Sequence, residues 1–299
     1  MQSAFYPQKK VSKEAVYGTC FAGIPVLGFV IFGLIPMIVA VIMAFTDVKF
    51  ALEDLQWVGF DNFAYALKDK MFWKSVVNTL YFALSMPISL IVALIVSVLL
   101  NQDIVCKKLF RTIFFIPYVC SVVAVALMWK WIFDANYGVL NAIITKCGGE
   151  PVLWLQNAST FGIAVIIIGV WTGSGFGIIL YSAALTKVNP AYYEAAKIDG
   201  ANSWKCFWNI TIPAISPTTF YLVIMGLIGA LQEFARIQVI STEAGPNNAG
   251  LTVVFYLYRE GFSYHDMGHA SAVAWLLALL IVGITAINFK LSNKWVSYD

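Results

Sequence analysis

The chain has 299 residues, 60% of them hydrophobic and 12% charged, with a formal net charge of +3 and a mean hydropathy of +0.79. A soluble domain carries about 25% charged and about 45–50% apolar residues, so this composition excludes an ordinary soluble protein and makes lipid the solvent. The small net charge gives no case for a nucleic-acid partner, and Cys20, Cys106, Cys120, Cys147 and Cys206 follow no zinc or redox spacing.

A bilayer core of about 30 Å is crossed by about 20 apolar helical residues. After an N-terminal tail, 1–17, six segments meet that length: 18–45, 76–100, 109–133, 161–185, 216–240 and 270–291. The first exceeds the roughly 7–15-residue core of a signal peptide, and no small-residue cleavage pattern closes it, so it is expected to remain a transmembrane helix. The 46–75 loop carries Trp57, Phe60, Phe63, Tyr65, Phe72 and Trp73 and is expected to form interfacial helix and turn. The third segment is interrupted by Pro117 and holds Lys130, which is expected to snorkel outward. Gly169, Gly173 and Gly177 recur every fourth residue in the fourth segment, the spacing that lets helices approach closely. Asn78, Tyr81, Tyr181 and Ser182 are expected to make interhelical hydrogen bonds. His265 and His269 fall between the fifth and sixth segments, four apart with Asp266 between them; a solvated outer loop is expected there and no metal site. The tail 292–299 closes the chain.

Lys and Arg placement sets the orientation. Lys9, Lys10 and Lys13, the compact group Lys107, Lys108 and Arg111, then Lys187, Lys197 and Lys205, and finally Lys290 and Lys294 share one side. The opposite loops hold Lys49, Lys68, Lys70, Lys74, Lys146 and Arg259, diluted by Asp47, Glu53, Asp54, Asp61 and Asp69. The denser basic side is cytoplasmic, which places both termini and the 187–213 loop inside.

That loop is the most informative stretch. Asn189-Pro190 reads as N-cap and first helical residue, and Ala191 to Asp199 as a short helix ended by Gly200. Ser203 is expected to cap a second short helix, 204–209, which Pro213 and Pro217 break before the fifth span. The expected fold is therefore all-α and integral to the membrane: a six-transmembrane-helix bundle, 18–291, with a cytoplasmic two-helix coupling elbow between helices 4 and 5. A joint that transmits force has to be stiff, small and in register with its partner. Ala195 and Ala196 keep this one slim, and Glu194 supplies a charge.

Tyr193-Glu194-Ala195-Ala196-Lys197-Ile198-Asp199-Gly200-Ala201, followed by Trp204, Phe207, Ile210, Ile212 and Pro213, resembles the EAA loop of ABC importer permeases. Trp57 to Phe63, Phe110-Arg111-Thr112, Phe115-Ile116-Pro117, Gly138 to Asn141, Gly245-Pro246 and Ala270-Ser271-Ala272 resemble the carbohydrate-uptake branch of that family, typified by the first membrane subunits of the maltose and glycerol-3-phosphate importers. Ile212 stands where leucine is usual. The resemblance implies a permease subunit of an ATP-driven carbohydrate importer in a bacterial or archaeal cytoplasmic membrane. Its partners would be a second permease subunit, two ATPase subunits and an extracytoplasmic solute-binding protein. It further implies that Glu194, Ala195, Ala196, Asp199, Gly200, Ile210 and Pro213 dock an ATPase. No glycine-rich phosphate loop ending in Gly-Lys-Ser/Thr is present, so ATP is expected to be hydrolysed by a partner and no cofactor to be bound by this chain.

Ionisable groups in a span usually face a cavity or a partner. Glu233 and Arg236 are three apart and can pair, and Gln232 adjoins them. Trp171 and Ser174 lie near the middle of the fourth segment, where an indole face beside a hydroxyl suits a neutral sugar. Trp171, Ser174, Gln232 and Glu233 are the candidate pathway residues. A self-contained secondary transporter would show broken midplane helices or internal repeats, and none is evident in the sequence. A membrane enzyme would need an acid–base cluster, and no catalytic residues are assigned. An ABC permease for an amino acid, phosphate or metal remains an alternative cargo reading.

Overall fold

The computed structural model describes residues 13–49, 56–102 and 104–297. Lys9, Lys10, Glu53, Asp54 and the outermost parts of both expected tails lie outside the described residues. Helix dominates what is described; two isolated β-bridges, Thr46 with Trp57 and Lys49 with Asp266, tie down the connection after the first span.

The first span joins α1 (Lys13–Phe29) through a π turn (Val30–Leu34) to α2 (Ile35–Ala44). The π turn explains how an apolar run containing Pro36 stays helical. The Ile35 N–H reaches back five residues to the Val30 carbonyl, and this wider turn draws the preceding carbonyls away from the pyrrolidine ring. The amphipathic 46–75 stretch holds α3 (Asp61–Lys68), as expected. Helix α4 (Lys70–Ala83) starts six residues before the predicted second span, because Asp69 caps it by accepting the Met71 N–H at 2.9 Å. It continues through Leu84 into α5 (Ser85–Leu100).

The third span is not one rod. Helix α6 (Lys107–Val119) and α7 (Val122–Ile132) meet at 100°. The sequence marks the interruption at Pro117; the fold places it three residues later. Cys120 and Ser121 take extended conformations there, after the proline has removed a helical hydrogen bond. Helix α8 (Val139–Lys146) lies in the next connection. The buried Asn141 knots that connection: its Nδ2 donates to Ala135 O at 3.0 Å and Val152 O at 2.9 Å, and its Oδ1 accepts from Trp154 Nε1 at 3.1 Å.

Helix α9 (Ala158–Leu185) is the central pillar, packed along α5 and α6. An added Cβ at Gly177 would lie 2.8 Å from Ala93 Cβ, and one at Gly175 would lie 2.8 Å from the Phe114 carbonyl oxygen. The small residues are therefore what brings these helices together. Asn78 makes a bridge, though to the 241–252 connection and not to another span, donating to Asn248 O and Leu251 O at 3.0 Å each. Ser182 does not: its hydroxyl is buried without a hydrogen-bond partner.

After α9 come α10 (Pro190–Ile198), α11 (Ser203–Cys206), a second π turn (Phe207–Thr211) and α12 (Ile212–Leu231). The expected break at Pro213 and Pro217 does not occur. The Ile212 N–H reaches Phe207 O across the π turn, the device already met at Pro36. One turn on, where Pro217 has no N–H to offer, Ser216 Oγ donates to Pro213 O at 2.7 Å. The fifth span stops at Leu231 instead of continuing to residue 240. Gln232 and Phe234 leave helical geometry before α13 (Ala235–Ile240). The chain then turns through 241–252 into α14 (Val253–Tyr258), a π turn (Arg259–Ser263) and the last span, α15 (Met267–Ser292).

Two cores result. One gathers Phe82, Val125, Phe161, Ile168, Ile237, Leu251, Phe255 and Val273 at the α13–α14 end; the other gathers Ala93, Ile178, Tyr181, Ile215 and Leu222 nearer the Gly200 turn.

Candidate functional site: a polar cavity and an exposed elbow

Between the two cores, Gly169 to Phe176 of α9 faces a cavity of about 430 Å³, whose other walls come from α5, α12 and the 232–236 break. Ser85, Ser89, Thr172, Tyr118 and Tyr221 line it together with Glu233 and Arg236. Arg236 Nη2 lies 3.3 Å from Glu233 Oε2, with the two side chains only 14% and 15% exposed. Gly169 makes this possible, since a Cβ there would meet Arg236 Nη1 at 3.1 Å and Ser85 at 2.9 Å. The carbonyl of Glu233, released at the break, accepts the Thr252 hydroxyl at 2.7 Å. A discontinuous helix thus presents a carboxylate and a guanidinium inside the bundle, with the freed Glu233 carbonyl satisfied by Thr252.

The four candidate pathway residues do not converge. Glu233 lines the cavity, and Gln232 is exposed beside it. Trp171 and Ser174 lie on another face of α9, in an apolar groove with Ile88, Phe114 and Pro117. Trp171 is 36% exposed and set edge-on to Trp129 at 5.6 Å, while Ser174 Oγ donates to Trp171 O at 3.1 Å. The serine and threonine hydroxyls that do line the cavity are Thr172, next to Trp171 in the sequence, and two that the sequence reading does not single out, Ser85 and Ser89. Their signal is Ser85 and Ser89 at i, i+4 on α5, opposite Gly169 and Gly173 on α9, where a Cβ would meet each serine. Lys130 is exposed, as snorkelling requires.

The elbow is built almost as its residues dictate. Asn189 Oδ1 accepts the Ala191 N–H at 3.0 Å, and Pro190 occupies the first helical position. Gly200 has φ +78°, and it ends α10 with two paired bonds, Gly200 N–H to Lys197 O at 3.1 Å and Ala201 N–H to Ala196 O at 2.8 Å. The second cap is Asn202, not Ser203: its side chain accepts the Lys205 N–H at 2.9 Å. Tyr193 Oη, 2.9 Å from Thr211 Oγ1, ties α10 to the π turn. Glu194, Ala195 and Asp199 are exposed, whereas Ala196, Ile210 and Pro213 are half-buried. Ile198 is 88% exposed and Trp204 68%.

His265 is exposed, in keeping with a solvated loop, but His269 departs from that expectation. His269 is 2% exposed in the first turn of α15. Tyr256 donates its hydroxyl to Asp69 Oδ2 at 2.6 Å, and His269 Nε2 lies 3.1 Å from the Tyr256 hydroxyl oxygen. This buried link joins α4, α14 and α15 in place of a solvated loop. Burial and the carboxylate beside it push the Tyr256 hydroxyl far above its ordinary range. Burial raises Glu260, opposed by Arg259 and reinforced by Asp266 and Asp69. Among the described residues no group of three His, Cys, Asp or Glu is placed to hold a metal ion.

Comparison with known proteins gives this geometry its context. The chain is 34% identical over 301 residues to the probable ABC transporter permease protein YesP of Bacillus subtilis, covering 99% of this chain and 96% of that one. It is 33% identical over 273 residues to the arabinooligosaccharides transport system permease protein AraP of the same species, covering 90% and 86%. A solved bacterial alginate ABC transporter, in complex with an alginate pentasaccharide-bound periplasmic protein, superposes with a TM-score of 0.80 at 26% identity over 94% of this chain and 95% of that chain. Residues 85–296, which carry the cavity, the elbow and the last span, match the family described as binding-protein-dependent transport system inner membrane component, and to that family this chain belongs.

Proposed function

We propose that the chain forms half of the translocation pathway of an ATP-driven carbohydrate importer, with the polar cavity as cargo passage and the α10–α11 elbow as the socket for an ATPase subunit. One observation carries this reading: the second helix of the elbow and the cavity wall belong to a single helix. From Ser203 to Leu231 the chain is uninterrupted, so α11 in the elbow is the root of the rod whose far end presents Tyr221, Gly226 and Gly229 to the cavity. A push on Trp204 displaces the wall without a flexible joint to absorb it, and Glu194 on α10 reaches the same rod through the Tyr193–Thr211 hydrogen bond. The sugar-permease relatives support a carbohydrate cargo. A second permease would close the pathway, two ATPase subunits would supply the motion, and an extracytoplasmic binding protein would deliver the cargo. The basic-side count supports cytoplasmic termini and a cytoplasmic elbow.

The test is Glu194→Lys, read in membranes holding the complete importer. The variant should insert at wild-type levels, lose co-elution of the ATPase and lose ATP-driven sugar uptake. Unchanged co-elution and uptake would refute the docking assignment. Uptake by the purified chain without any ATPase would refute the whole proposal.

A further inference from the structure

The cavity has a hydrogen-bonding polarity. Ser85 Oγ donates to Phe82 O at 2.7 Å, Ser89 Oγ to Met86 O at 2.7 Å, and Thr172 Oγ1 to Ile168 O at 2.9 Å. Each hydroxyl has one proton, and in all three that proton is held by the backbone of the side chain's own helix. What these side chains offer the cavity is lone pairs. Glu233 adds a carboxylate, which only accepts. The one cationic donor in the lining, Arg236, lies against Glu233, so the pair brings no net charge. Tyr118, stacked on Phe176 with ring centroids 5.0 Å apart, adds a flat apolar wall, and its hydroxyl and that of Tyr221 can each donate or accept.

A wall with no net charge, in which Ser85, Ser89, Thr172 and Glu233 all present lone pairs, suits a cargo that brings donors, as every hydroxyl of a neutral sugar does. It disfavours a carboxylated sugar. A carboxylate brings only lone pairs to face Ser85, Ser89 and Thr172, and it reaches Arg236 only beside Glu233, where like charges repel in a medium of low dielectric. We propose that the cavity selects neutral, hydroxyl-rich saccharides against uronate-bearing ones, with Glu233 as the residue that sets the choice. This rests on the cavity being the cargo passage. It separates the chain by cargo from a structural neighbour, a bacterial ABC transporter involved in the import of the acidic polysaccharide alginate.

The experiment is equilibrium binding to the complete importer in lipid nanodiscs, without its binding protein so that only the membrane cavity discriminates. The probes are neutral trisaccharides of several linkages and the matching uronate trisaccharides. The wild type should bind its best neutral probe at least tenfold more tightly than the uronate counterpart. Glu233→Gln, which removes the repelling carboxylate and frees the guanidinium, should erase most of that ratio by strengthening uronate binding. Glu233→Gln combined with Arg236→Gln restores an uncharged cavity and should restore the preference for neutral sugar, which separates a charge effect from misfolding. Equal or tighter uronate binding by the wild type, or an unchanged ratio in Glu233→Gln, would overturn the inference while leaving the sugar passage intact. Failure of the wild type to bind any probe would instead overturn the assignment of the cavity as the passage.

Discussion

Gly200→Val tests the elbow where its geometry is most explicit. Gly200 sits at φ +78°, and a Cβ built there meets nothing within 4 Å. The intramolecular cost of the substitution is therefore backbone strain alone, about 1–2 kcal/mol for an L-residue held in the left-handed region. That amounts to about a 5- to 30-fold fall in the population of the intact turn. The bonds at stake are Gly200 N–H to Lys197 O and Ala201 N–H to Ala196 O. Both lie in an exposed segment, so the bundle's own unfolding should barely change. The assay is sugar transported per ATP hydrolysed by the reconstituted importer, with ATPase co-elution alongside. Gly200→Val should lower both several-fold at unchanged membrane insertion. Gly200→Asn, whose side chain tolerates the left-handed conformation, should retain most coupling. Wild-type coupling in Gly200→Val would refute the argument. Failure of Gly200→Asn to the same extent as Val would move the requirement from backbone conformation to the close approach of a partner.

The native cysteines test orientation: Cys147 and Cys106 are both exposed and free, so in intact cells a membrane-impermeant maleimide should label a variant retaining only Cys147 and spare one retaining only Cys106, and the reverse pattern would invert the topology. Gly169→Ala should destabilise the solubilised protein by about 1–3 kcal/mol through overpacking, because its Cβ would lie 2.9 Å from Ser85 and 3.1 Å from Arg236; Gly229→Ala, with nothing within 4 Å, is the control, and equal melting shifts would count against the close α5–α9 seam. Burial raises Glu260 above its ordinary 4.5, so its favourable contribution is complete below that value and is lost as pH rises through the raised one. Glu260→Gln should therefore melt like the wild type in acid and higher than it near neutrality, and a pH-independent difference would contradict the burial argument.

The parts of the fold set by local rules were legible before any coordinates. Asn189, Pro190 and Gly200 each act through their own backbone: a cap, a pre-set φ and a left-handed turn. Hence α10 and its end fall where the residues place them. Glycine spacing in α9 was legible for the same reason, since the absence of a side chain is a local fact with one packing consequence. The caps that moved, Ser203 to Asn202 and the earlier start of α4 at Asp69, differ by which of several neighbouring acceptors the chain aims at an N–H, and short polar side chains leave that choice to the surrounding turn.

What could not be read was where an apolar run stops being helical. Pro213 looks like a breaker, yet a π turn absorbs it. Nothing about Leu231-Gln232-Glu233 looks like a breaker, yet the fifth span ends there. Both outcomes depend on who satisfies a freed backbone group. At Pro213 the answer comes from the same helix, through Ile212 and Ser216. At Glu233 it comes from Thr252, nineteen positions away. Hydropathy averages over such points, because breaking a helix in lipid is governed by hydrogen bonding and not by apolarity. The residual signal was chemical: Glu233 and Arg236 inside an apolar segment are costly on a continuous lipid-facing helix and natural at a break that opens onto a cavity. The in-span charges were therefore the sequence's own mark of the discontinuity. Trp171 misled because its face on α9 is set by packing against Trp129, which no spacing along the chain reveals.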